Sequence, residues 1–149
     1  MKRSIQVGIR ASILGAMLTS VAIPVSADDQ DTIDYRQHIM KTMGEQVAIL
    51  SMMAEKKAPA DDFATHAEVL ALTAATAKSA FEPEVEGGDA KPEVWSAWDN
   101  FENRMDELVA ATADLAKTAK SGGIAAAAPK MRAALTCKGC HDTYRVPKR

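Results

Sequence analysis

Hydrophobic positions recur at helical spacing in four stretches of this 149-residue chain. The first runs from Thr32 to about Glu55 and carries Ile33, Met40, Met43, Val47 and Leu50. The second, from about Ala60 to Phe81, carries Phe63, Ala67, Leu70, Ala74, Ala77 and Phe81. Pro92 opens the third, which reaches about Lys120 with Val94, Trp98, Phe101, Met105, Leu108, Thr112 and Leu115 on its stripe. The fourth follows Ser121-Gly122-Gly123 and runs to about Val146. It carries Ile124, Ala128, Met131, Leu135, Cys137, His141 and Tyr144. Residues three and four apart share a helix face, so each stretch predicts an amphipathic helix. No alternating run of β-branched residues competes, and no hairpin dipeptide joins such runs. The links are short, the longest being the acidic EPEVEGGDAK at 82–91. The expected fold is all-α, an antiparallel four-helix bundle. Pro129 conflicts locally: it should kink the fourth helix or mark its true start.

The stretch before the first helix reads differently. Lys2, Arg3 and Arg10 make a basic start, Ala11 to Val25 is uncharged and mostly apolar, and Val25-Ser26-Ala27 offers small residues to a signal peptidase. This predicts a cleaved secretory signal at 1–27 and a single domain at 28–149. A retained anchor would need about 20 apolar residues. The run is shorter, so no membrane attachment is expected after cleavage. Without the signal, 15 of the 18 basic residues remain against 20 acidic ones, a net charge of −5. That balance gives no call for nucleic acid. Export also points to an oxidising compartment, and a periplasm is the expected location.

Composition raises a difficulty for the core. The whole chain has three Phe, two Trp and two Tyr, whereas residues 28–149 hold 24 alanines. Alanine favours helix but buries little apolar area, so a small domain built on it is marginal. Another apolar mass would fill the middle.

CKGCH, Cys137 to His141, offers one, and it holds both cysteines of the sequence. On a helix Cys137 and Cys140 lie one turn apart on one face, with His141 four residues after Cys137. Two thiols at this spacing can add to the two vinyl groups of haem, and the imidazole can bind its iron from one side. This is the attachment signature of haem c. A redox dithiol normally sits beside a strand, and no strand is predicted. A structural zinc site wants four ligands, and no second Cys/His cluster exists. A plain disulfide has no use for His141. One motif means one covalent haem c and one iron, with Cys137 and Cys140 holding the porphyrin and His141 the metal.

The secreted chain, the four helices and the late CKGCHDTYR together resemble the cytochrome c′ family, the class II cytochromes c, including its low-spin Met/His relatives. YRQHIMKTMGEQ near the start is similar to that family's first helix. There an arginine is followed four residues later by the residue facing the open side of the iron; here these are Arg36 and Met40. The resemblance implies electron transport by a monohaem c-type cytochrome with redox partner proteins and no enzymatic activity. Its alternative is a haem protein that binds nitric oxide or other small gases. Dimerisation is common among the resembled proteins, and a homodimer of this chain would use the outer faces of the first two helices. In the resembled family a basic residue at the position of Arg145 lies close to the axial histidine.

Arg36 interrupts an apolar stripe one turn before Met40, and a lone arginine there needs a partner. A haem propionate suits a guanidinium fork; snorkelling to solvent is the alternative. Met40 would either ligate the iron, which raises the potential, or pack over an open position, and Met43 is the next candidate. Tyr144 would pack on the haem edge. Met52, Met53, Met105 and Met131 read as core, and His38 and His66 as exposed. Trp95, off the stripe, reads as half-exposed. Lys130, Arg132, Lys138, Arg145, Lys148 and Arg149 make the last segment basic. They read either as solvated charges near a helix C-terminus or as a docking face for an acidic partner.

Overall fold

The computed structural model describes residues 28–147. The expected signal at 1–27, together with Lys148 and Arg149, lies outside the described residues. Among the described residues five α-helices form: α1 (Asp29–Ala54), α2 (Phe63–Ala77), a short α3 (Glu93–Ser96), α4 (Trp98–Ala134) and α5 (Cys137–Tyr144). A 3-10 turn at Ser79–Phe81 extends α2. No strand occurs among the described residues, only two isolated bridges, Gly87–Ala90 and Ala90–Arg145. α4 changes direction at Gly123, whose φ of 65° and ψ of −168° are not helical. The four long segments of the bundle are therefore α1, α2, α4 before Gly123, and the rest of α4 continued by α5.

Local chemistry explains the ends of α1. The Asp28 side chain accepts the Asp31 N–H at 2.8 Å, and Asp29 and Asp31 place negative charge at the positive end of the helix dipole. Three residues at the far end close a Schellman motif. Lys57 N–H donates to Met52 O at 2.8 Å and Lys56 N–H to Met53 O at 3.1 Å. Lys56 takes the left-handed conformation, φ 60°, that this motif normally gives to glycine. Pro59 stands just beyond. The helix begins three residues before the expected Thr32, because Asp28 is the cap that the apolar stripe alone does not reveal.

The third and fourth stretches meet the structure less simply. The Ser121-Gly122-Gly123 break is present, but as a kink inside α4 rather than a separating loop. Pro129 neither kinks the helix nor starts it. Gly123 takes the change of direction six residues earlier, and the backbone at Pro129 stays helical. The real interruption falls at Leu135-Thr136, just before the cysteine motif.

The core follows the stripes. Leu50, Ala67, Ala74, Ala77, Leu115 and Ala127 are fully covered. α2 packs against both α1 and α4, and its alanines let these helices approach. Phe81, Trp98, Phe101 and Tyr144 gather at one end instead. Phe101 is 5.1 Å from Phe81, 5.6 Å from Trp98 and 5.2 Å from Tyr144, ring centre to ring centre. Such tilted and edge-on pairs add to burial alone. No described helix is long and apolar enough to cross a membrane.

Candidate haem site

The helices part at the aromatic end around a cavity of about 760 Å³. Its walls come from α1 (Arg36, Met40, Met43, Val47), α4 (Phe101, Met105, Leu108) and α5 (Cys137, Cys140, His141, Tyr144). Met40, Val47, Leu108, Leu135 and Cys140 are only half-buried, since they face this space rather than one another. Besides Arg36, charged residues border it: Lys41, Glu45, Asp89, Arg104 and Glu107 are exposed and therefore at the rim, and Arg145 is half-buried. A large apolar hollow with a few polar groups is the usual form of a cofactor pocket.

α5 brings the attachment motif onto one wall. Cys137 is exposed, Cys140 is half-buried, and both are free thiols. Burial pushes the Cys140 thiol above its ordinary value; Arg104 pulls it down and Cys137 pushes it up, both less strongly. A protonated, inward thiol beside an outward one, with His141 on the same wall, suits a group bonded at two points and ligated at a third. The cavity, the apolar lining and this donor set fit a haem. His141 also borders a smaller hollow of about 240 Å³, formed with Asp142, Arg145, Val146 and Pro147. Among the described residues no cluster of three or more His, Cys, Asp or Glu could hold a separate metal ion.

The structure brings Arg36, Met40, Cys137, Cys140, His141 and Tyr144 to this one cavity. Arg36 is only 2% exposed and does not snorkel. Its Nη1 donates to Val85 O at 2.6 Å and its Nη2 to Gly87 O at 2.8 Å. The guanidinium also lies against Trp95, 5.1 Å from the ring centre, and Phe81, at 5.8 Å. Burial lowers its pKa from the ordinary arginine value. Tyr144 is buried and donates its hydroxyl to Asn100 Oδ1 at 2.7 Å.

Sequence reasoning missed the part of Trp95. It is half-buried, as expected, but its Nε1 donates to Phe81 O at 2.9 Å and its ring carries Arg36. A tryptophan off the apolar stripe, near a charge buried elsewhere, was the available signal. His66 is half-buried rather than exposed, and its Nδ1 shares a hydrogen bond with Gln46 Oε1 at 2.8 Å, linking α1 to α2. Met52 is 47% exposed and lies outside the core, whereas Met53, Met105 and Met131 are buried.

Three of the six basic residues of the last segment are paired with carboxylates. Lys130 pairs with Asp114, Lys138 with Asp142 and Arg145 with Asp89. Exposed pairs of this kind add little stability. They offset part of the field that the basic residues of this segment would set up.

The sequence pattern of the family described as Cytochrome C′ matches residues 31–145. Cytochrome c′ from Alcaligenes xylosoxydans xylosoxydans is 32% identical over 129 residues, covering 82% of this chain and 98% of that protein. Cytochrome c′ from Pararhodospirillum photometricum is 35% identical over 126 residues, covering 80% and 99%. Among solved structures, a nitric oxide complex of a variant cytochrome c prime from Alcaligenes xylosoxidans superposes with a TM-score of 0.76 at 28% identity. It covers 83% of this chain and 100% of that one. Fold, cavity, motif and relatives agree: the chain belongs to the cytochrome c′ family of covalent haem c proteins.

Proposed function

We propose that this protein binds nitric oxide, or a similar small neutral gas, at the haem it carries in the periplasm. The observation that carries this reading is the chemistry of the α1 and α4 walls. Met40, Met43, Val47, Met105 and Leu108 offer thioethers and hydrocarbon; the one buried charge on these walls, Arg36, is engaged with Val85 O and Gly87 O, and Lys41, Glu45, Arg104 and Glu107 stay at the exposed rim. A hydrated anion entering such a space would lose its water without compensation. A neutral diatomic gas loses little. The relative solved as a nitric oxide complex supports the same reading.

When bound, the haem supplies a one-electron iron couple and a coordination position. Cys137 and Cys140 would hold it through two thioether bonds. His141 would bind the iron from α5. Met40 would stand over the remaining position as a wall, excluding water. Tyr144, fixed by Asn100, would support the porphyrin edge. Arg36 would serve the propionates with the N–H donors that Val85 and Gly87 leave over, since a guanidinium has five.

The second reading is electron transfer to redox partner proteins without enzymatic turnover. Met40 favours it, because a thioether on this wall is a competent iron ligand and would close the gas position. Optical spectra of the purified protein, oxidised and reduced, with and without nitric oxide, separate the two. A broad high-spin spectrum that shifts at once on adding the gas is expected. A sharp low-spin spectrum indifferent to the gas would overturn the gas-binding reading in favour of Met40 ligation.

A further inference from the structure

The 82–91 segment is exposed for most of its length, yet it is bonded at both ends of its course. On one side Arg36 of α1 holds Val85 O and Gly87 O. On the other, Lys91 N–H donates to Tyr144 O at 2.9 Å and Val146 N–H donates to Asp89 O at 2.9 Å. Arg145 Nη2 donates to Asp89 Oδ2 at 2.9 Å, and Lys91 Nζ to Asp142 O at 3.1 Å. The segment thus ties the helix that carries Met40 to the helix that carries His141.

We propose that Arg36 is a positioning residue, the pin of a strap at 82–91 that fixes where α5 and His141 stand relative to Met40. Met40 lies one turn beyond Arg36 on α1, so the pin sits beside the residue whose distance it governs. A buried guanidinium stacked on Trp95 is a costly way to hold a loop that serves only as a linker, because desolvating a charge must be offset by its partners. The strap is also fitted to α1 by shape. Gly88 has φ 60°, and a Cβ there would come within 2.6 Å of Gln37 Nε2 and 2.8 Å of Ile33 Cγ2. Gly87, at φ 124°, meets Ile33 in the same way. A side chain at either position would take a strained backbone conformation and have to push aside Ile33 or Gln37, which glycine avoids.

The proposal deepens the gas-binding reading and rests on it for one of its readouts. Its test uses the haem-loaded protein with Arg36→Lys and, separately, Gly88→Val. Lysine keeps the positive charge that cofactor carboxylates would need, but it loses the planar fork that serves two carbonyls. Gly88→Val displaces the strap while leaving Arg36 in place, and its surface position lets the variant fold. Amide hydrogen exchange is read at Lys91 and Val146, whose N–H groups bond across the strap–α5 junction. Reduction potential and nitric oxide affinity are read on the same samples. Both substitutions should speed exchange at these two amides on the order of tenfold, as loss of a charge-assisted hydrogen bond implies. Both should shift the potential in the same direction. Unchanged exchange at Lys91 and Val146 in Arg36→Lys would show that the residue pins nothing. Faster exchange with an unmoved potential would show that the strap holds itself but not α5. Either result overturns the proposal. Indifference of the unsubstituted protein to nitric oxide overturns the gas reading alone, since exchange and potential still decide the strap.

Discussion

Tyr144 and Asn100 are joined by a 2.7 Å hydrogen bond from the phenol to the amide oxygen, across 44 residues of sequence. The bond ties α5 to the first turn of α4, and the same ring stands edge-on to Phe101 at 80°. Tyr144→Phe keeps the ring contact and removes only the bond. Asn100 is exposed and rehydrates, so the loss should be about 1 kcal/mol or less. Tyr144→Ala also removes the ring from a 5% exposed site and should cost about 3–5 kcal/mol. Denaturant unfolding monitored by circular dichroism checks both.

Gly123 bends α4 with a backbone conformation, φ 65° and ψ −168°, that side-chain-bearing residues avoid. A Cβ there would meet nothing within 4 Å. Gly123→Ala therefore isolates backbone strain from crowding. A loss of about 1–3 kcal/mol is expected. In the cofactor-free protein Gly44→Ala, in mid-helix where a Cβ would face only the open cavity, should instead stabilise by about 0.5–1 kcal/mol. Thermal melts of the two variants should move in opposite directions.

These two sites mark what the sequence shows and what it hides. Every residue of the expected second stripe, Phe63 to Phe81, is buried, because a helix packed on both sides leaves its period in the sequence. The motif end was equally legible, since two thiols and an imidazole at that spacing have few uses. The kink was not. Ser-Gly-Gly reads as a break, but only the packing of the flanking segments decides between a loop and a bend. The hold of Arg36 on Val85 and Gly87 was hidden for another reason: backbone carbonyls carry no sequence signal, so a charge on an apolar stripe suggested a charged partner or solvent.

Before the haem is attached, the two thiols should differ. Cys137 is exposed, while burial holds the Cys140 thiol above its ordinary pKa. An alkylating agent near neutral pH should take Cys137 first, with Cys140 following only as pH rises. The sign of the stability effect follows. A raised folded-state pKa means that the unfolded chain loses its proton first. The contribution is then complete below the ordinary thiol value of about 8.5 and lost as pH climbs through the raised one. Cofactor-free Cys140→Ser should lose this alkaline sensitivity in urea titrations across that range.

Changing Cys137 and Cys140 together to Ser removes both thiols that can hold the cofactor covalently. Haem should then extract into acidified organic solvent from this variant and not from the parent. Pigment retained on the variant chain would show attachment elsewhere.

Met40 tests the pocket wall. With Met40 as a steric screen, Met40→Ala should keep a high-spin spectrum and bind nitric oxide about tenfold faster, a barrier change of ~1.4 kcal/mol. With Met40 as a ligand, the same substitution would convert a low-spin spectrum to a high-spin one. Stopped-flow mixing with the gas distinguishes the outcomes.

The fully covered alanines have a consequence for the cavity they do not touch. Ala67 and Ala127 have no exposed surface and are absent from the cavity wall. They let the helices approach closely where they stand. Leu70, one turn after Ala67, and Ala134, two turns after Ala127, do border the cavity. Enlarging Ala67 or Ala127 by even a methylene group or two would press on the helices that carry these two wall residues. The room available at the haem is therefore adjustable from positions that a search confined to the pocket lining would never include.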